Sequence, residues 1–164
     1  MPTTIQQDNL NELVVEGLRA LKAGGERAAQ ATSEIQSSAS NDDLKKALKE
    51  GETTSKEWQA RVERAMKDAG VSGSGDNPVV DAVYEVSKKT RQTADDDATR
   101  DLGIIASGQL ALHYWVAAFG TLASYLARLG MTEHADALSR SVNEAKQADE
   151  EHTRIAEQIL GAAS

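Results

Sequence analysis

The most constraining feature of this chain is the spacing of its apolar and small residues, which alternates steps of four and three along four long segments. In the first segment the series is Leu10, Val14, Gly17, Leu21, Gly24, Ala28, Ala31 and Ile35. Such a series draws a stripe along one face of an α-helix, and the stripe must be covered by other helices. The second segment repeats it with Leu44, Leu48, Gly51, Ser55, Trp58, Val62, Ala65 and Ala69. The third carries Leu102, Ile105, Leu112, Val116, Phe119, Ala123 and Leu126 inward, and the fourth Leu138, Val142, Ala145, Asp149, His152, Ala156 and Ile159. No segment shows the strict alternation of a strand. With 26 alanines and an aromatic content of 4% among 164 residues, the interior is suited to closely packed helices rather than to a sheet.

Punctuation divides the segments. Asp42 and Asp43 fall in the first turn of the second helix, where the positive dipole end favours acids. Gly70 ends that helix, and Val71-Ser72-Gly73-Ser74-Gly75 is the clearest loop. Asn77 can cap a new helix and Pro78 suits its first position. Gly130 caps the third long helix, and Thr132 with Glu133 opens the last. The spacing therefore predicts one domain, residues 1–164, with helices over about 3–38, 42–69, 77–92, 99–129 and 132–160. Short links make two antiparallel hairpins, and a crossover of roughly thirty residues carrying a short helix joins them. The expected fold is all-α, a ferritin-like four-helix bundle.

Composition narrows the function. Zero cysteines exclude a disulfide scaffold, a zinc–thiolate site, an iron–sulfur cluster and a cysteine nucleophile. A net charge of -8 argues against nucleic acid as the main partner. The N-terminus lacks the pattern of a signal peptide, and the apolar stretch from Leu102 to Leu129 is interrupted by Gln109, His113 and Arg128. The expectation is a cytoplasmic protein with no membrane contact. Asp95-Asp96-Asp97 lacks the glycine and terminal glutamate of a calcium loop, and no serine sits in a nucleophile elbow.

The run His113-Tyr114-Trp115-Val116-Ala117-Ala118-Phe119-Gly120-Thr121-Leu122, followed by Leu129-Gly130-Met131-Thr132-Glu133, resembles the bacterial YciE/YciF-type ferritin-like family. Asn143-Glu144-Ala145-Lys146-Gln147-Ala148-Asp149-Glu150 is similar to a second stretch of that family. The resemblance implies a four-helix bundle that typically encloses a di-metal carboxylate site, and an association with bacterial stress. Set against that pattern, the expected glutamates of the third long helix fall at Leu112 and Trp115, with His113 kept. In the fourth, Ala145 stands for a glutamate and Asp149 is kept; in the second, a His/Glu pair falls at Gly51 and Thr54. In the first, a glutamate falls at Gly25, with Glu26 beside it.

Few of the implied ligands remain, so the expectation is a metal-free, non-catalytic bundle without a cofactor. Volume lost at Gly24, Gly25, Gly51 and Ala145 would be made up by Leu112 and Trp115. Such a protein would act through self-association, as a homodimer, or through protein interaction, with Val79, Val80, Val83 and Tyr84 as an exposed apolar surface. The competing reading is an iron or manganese protein, storage or oxidoreductase, using Glu26, His113, Asp149 and His152. A third is a small-molecule binder in the glycine-lined interior. His134, at the start of the last helix, reads as a surface residue.

Overall fold

The computed structural model describes residues 7–162, with side chains through Gly161. Five helices account for its order among the described residues: α1 (Gln7–Ser38), α2 (Asp42–Asp68), α3 (Pro78–Thr93), α4 (Asp97–Arg128) and α5 (Thr132–Ala162). The expected start of the first helix near residue 3 lies outside the described residues. The other ends agree with the spacing to within about two residues, and those of α2, α3 and α4 carry local caps.

Those caps are visible one by one. The Asn41 carboxamide oxygen accepts from the Leu44 amide at 3.0 Å, the Asn77 oxygen from Val80 at 3.1 Å and Asp96 from Thr99 at 2.8 Å. Each satisfies one of the amides that a helix leaves free in its first turn. Gly70 and Gly130 turn the chain out of α2 and α4 with φ of 67° and 81°, a conformation that any side chain would strain.

The four long helices close into a ring: α1 packs on α2, α2 on α5, α5 on α4 and α4 on α1. This is the two-hairpin, one-crossover bundle that the periodicity predicts. Helix α3 lies along α4 and also touches α1. It runs antiparallel to α4, with Asn77 donating to the Tyr114 hydroxyl at 2.7 Å near one end and Thr90 against Gly103 near the other.

Two apolar clusters fill the bundle. The larger includes Leu18, Leu21, Val62, Phe119, Leu126 and Leu138; the smaller joins Ala39, Leu44, Ile104, Ile105, Ile155 and Ile159. Within the larger one, Trp58, Trp115 and Phe119 form a ring cluster. Trp115 stacks on Phe119 at 5.4 Å between centroids, and Trp58 meets Phe119 edge-on at 5.3 Å. Burying a ring of this size contributes on the order of 4 kcal/mol.

The sequence expectations for surface apolar residues need two corrections. Val80 is buried, and Tyr84 is half-covered by the Arg27 guanidinium at 4.0 Å. The outer face of α3 presents Val79 and Val86 instead, each 49% exposed. The interruptions in α4 also do not shorten its apolar run as expected. Gln109 and His113 place no Asp, Glu, Lys or Arg within it, so α4 is long and apolar enough to cross a membrane by length and composition alone. Only 28% of that apolar window is buried inside the bundle.

Candidate functional site

The middle of the bundle, where a di-metal site would lie in a ferritin-like protein, has three components. The first is the ring cluster. Gly24 lets it form: a Cβ there would stand 3.0 Å from the tip of Trp115 and 2.5 Å from Asn77 Nδ2. Gly17, seven residues earlier on the same seam, makes equivalent room for Leu122. The bulk that these two glycines of α1 admit comes from α4 and from the cap of α3.

The second component is a charged pair. Arg61 of α2 is buried and reaches across to α5, where its guanidinium meets the Glu144 carboxylate at two points, 2.5 Å and 2.9 Å. It also donates to the Ser141 hydroxyl at 2.9 Å. Trp58 Nε1 donates to the same carboxylate at 2.7 Å, which fixes the indole that heads the ring cluster. The hydrogen bonds from Arg61 hold the Glu144 carboxyl below the usual glutamate range, helped by Trp58 and opposed by burial. The Arg61 guanidinium is raised in turn by its bonds to Glu144. Both groups stay charged, and the carboxylate accepts from three donors.

The third component is a cleft of about 390 Å³ between α2 and α5 that reaches the flanks of α1 and α4. Gly51, Thr54, Leu112 and Trp115 line it. At Gly51 no compensating bulk arrives: nothing lies within 4 Å of where its Cβ would be. Leu112 is half-buried on the wall rather than filling the space. Gly25 faces Gln59 of α2, not Trp115. Ala145 is fully buried in the larger core cluster.

Of the candidate metal ligands, the structure brings only His113 and Asp149 into contact. Glu26 is exposed on α1, 4.0 Å from Lys22 and bonded to Ser74. His113 is exposed on α4, its Nε2 3.2 Å from Asp149 Oδ2. Asp149 keeps its other oxygen buried without a partner. His152, only 7% exposed, turns into the cleft, with Nδ1 bonded to the Ala148 carbonyl at 2.7 Å. Asp149 and His152 both approach α4, the first at His113 and the second at Gly108. Among the described residues no three His, Cys, Asp or Glu side chains gather where they could share an ion. The residues present do not fit a di-metal centre, which needs several anionic oxygens around two cations.

Several working residues escape sequence reasoning. Arg61 sits three residues after Trp58, and Ser141 and Glu144 are three apart on α5, so both lie next to a seam; that spacing is the available signal. Asp101 is 2% exposed and accepts from the Ser40 and Asn41 amides at 2.9 Å and 2.7 Å, tying α4 to the α1–α2 link. It is a more deeply buried acid than Asp149, which the seam singles out. His134 lies partly covered at the surface: its side chain is 12% exposed and bonds the exposed Asp68 at 2.9 Å.

Comparison with known proteins agrees with this architecture. Residues 9–163 match the family described as Domain of unknown function (DUF892). The structure of YcfI from Rhodopseudomonas palustris is similar at 25% identity over 93% of this chain and 97% of that one, with a TM-score of 0.84. That of the E. coli stress protein YciF is similar at 19% identity over 98% and 99%, with a TM-score of 0.88. At that identity the second likeness speaks for the fold alone. No curated protein matches the chain. An all-helical, two-hairpin bundle whose residues 9–163 match the family model makes this chain a member of the DUF892 family, a domain of unknown function.

Proposed function

We propose that this chain is a metal-free, non-catalytic ferritin-like bundle, associated with stress, that acts through self-association as a homodimer. The observation that carries the metal-free reading is the content of the bundle's middle. Rings from α2 and α4, a two-point Arg61–Glu144 pair and the cleft make up that region, and no three of Glu26, His113, Asp149 and His152 gather in it. A carboxylate already holding Arg61 and Trp58 has little left to offer a cation. The stress association rests on the likeness to YciF, which is a stress protein.

Self-association is supported by the outer side of α3 and α4. Between residues 102 and 127, α4 carries no Asp, Glu, Lys or Arg. Leu110 on it is 55% exposed, and Val79 and Val86 of α3 are half-exposed. An uncharged helix face of this length on an otherwise acidic protein suits a partner of the same kind, since the -8 charge of each copy can stay at the edges. Sedimentation velocity tests it. A dimer that the paired substitutions Val86→Lys and Leu110→Lys convert to monomer supports the reading. A monomer at all accessible concentrations overturns it.

A further inference from the structure

The cleft between α2 and α5 has the properties of a ligand site, independent of whether the chain self-associates. Its volume of about 390 Å³ lies in the range of small-molecule pockets, roughly 300–1,000 Å³. Its inner wall is apolar: Ala28, Ala111, Leu112, Ala148 and the two indoles of Trp58 and Trp115. The indoles are held rigidly, one by Glu144 and the other by Phe119 and Tyr114. A rigid apolar wall loses little freedom when a ligand arrives.

Of the polar side chains that line the cleft, which include Thr32, Thr54, Ser55 and Gln147, His152 is the buried one. His152 is only 7% exposed and lines the cleft. Its Nδ1 faces the Ala148 carbonyl oxygen, which can only accept, so Nδ1 carries the proton in the neutral ring. Its Nε2 is therefore an acceptor, and it takes no hydrogen bond from any described residue. Gly108 faces this nitrogen, 3.3 Å from where a Cβ would be. Charge sets the remaining preference. Glu50, Glu52, Glu144 and Glu151 flank the cleft, and no lysine or arginine lines it. Lys46, Lys56, Arg61 and Arg154 already pair with these four carboxylates, so an organic anion in the cleft meets no free cation.

We propose that this cleft binds an uncharged ring compound, of one or two fused rings, that carries an N–H or O–H donor. The apolar rings lie against Trp58 and Trp115, and the donor reaches His152 Nε2. Gly51 is the entrance, since the space beside it is open.

Ligand-observed saturation-transfer NMR and calorimetry test this with three probes of nearly one shape. Indole has the donor, benzofuran lacks it, and indole-3-carboxylate adds a negative charge. Indole is expected to bind saturably, benzofuran about three- to tenfold more weakly for the missing hydrogen bond, and the carboxylate weakest. The Gly51→Leu variant starts a side chain where nothing lies within 4 Å of its Cβ and improves helix propensity. It is expected to keep its fold by thermal melt and to lose indole binding. Absence of saturable indole binding, or equal binding by Gly51→Leu, overturns the site. Benzofuran or the carboxylate binding as well as indole overturns the ligand class.

Discussion

Arg61 and Glu144, 83 residues apart, meet inside the bundle at two points, and Trp58 donates to the same carboxylate. The pair joins α2 to α5 beside the cleft. A charge buried to this degree is stable only while its partner is present. Glu144→Ala should therefore destabilise the protein by about 3 kcal/mol, more than Glu57→Ala, whose carboxylate is largely exposed. Urea unfolding of both variants measures this, and equal midpoints would show that the pair contributes nothing particular.

Acid should act through the same carboxylate. Its folded value is depressed by the Arg61 hydrogen bonds first and by Trp58. A depressed acid stabilises the fold above its unfolded value and loses that contribution as pH falls through the folded one. The difference in stability between Glu144→Gln and the parent should thus be full at about pH 7 and shrink as pH falls below the ordinary glutamate range. Urea midpoints across that interval give the test, and a pH-independent difference would contradict it.

The glycines of the interior should respond with opposite signs. Gly24→Ala places a methyl 2.5 Å from Asn77 and 3.0 Å from Trp115, and should lower stability by roughly 1–3 kcal/mol. Gly51→Ala meets nothing within 4 Å and relieves a mid-helix glycine, so it should raise stability by about 0.5–1 kcal/mol. Thermal melts of the two variants should move in opposite directions.

Asp101 ties the start of α4 to the α1–α2 link through two backbone amides. Asp101→Ala leaves those amides without their acceptor, at a cost of about 1–3 kcal/mol. Hydrogen exchange should speed first at Ser40 and Asn41. Exchange unchanged there would mean that the carboxylate does not hold the link.

Much of this architecture is legible in the spacing. The four-and-three steps identify the helices, and Asn77, Gly70 and Gly130 mark ends through contacts of a few residues. Pairings across helices are another matter. Whether Arg61 meets Glu144, or Glu26 faces inward, depends on the register and rotation of one helix against another, which spacing within a single helix does not carry. Val80 and Val79 differ by one position, about 100° of helical turn, and the first is buried while the second is half-exposed. The cleft at Gly51 is unreadable for a similar reason. A missing side chain tells where volume is lost, but the separation of α2 and α5 decides whether a neighbour fills it.

The central claim is that rings, an internal ion pair and an apolar cleft stand where a di-metal centre would be. Elemental analysis of protein purified without chelators, before and after incubation with iron(II) or manganese(II), tests it most directly. The account predicts substoichiometric metal in both cases and an unchanged thermal melt. A stoichiometric complement that Asp149→Ala or His152→Ala abolishes would contradict it.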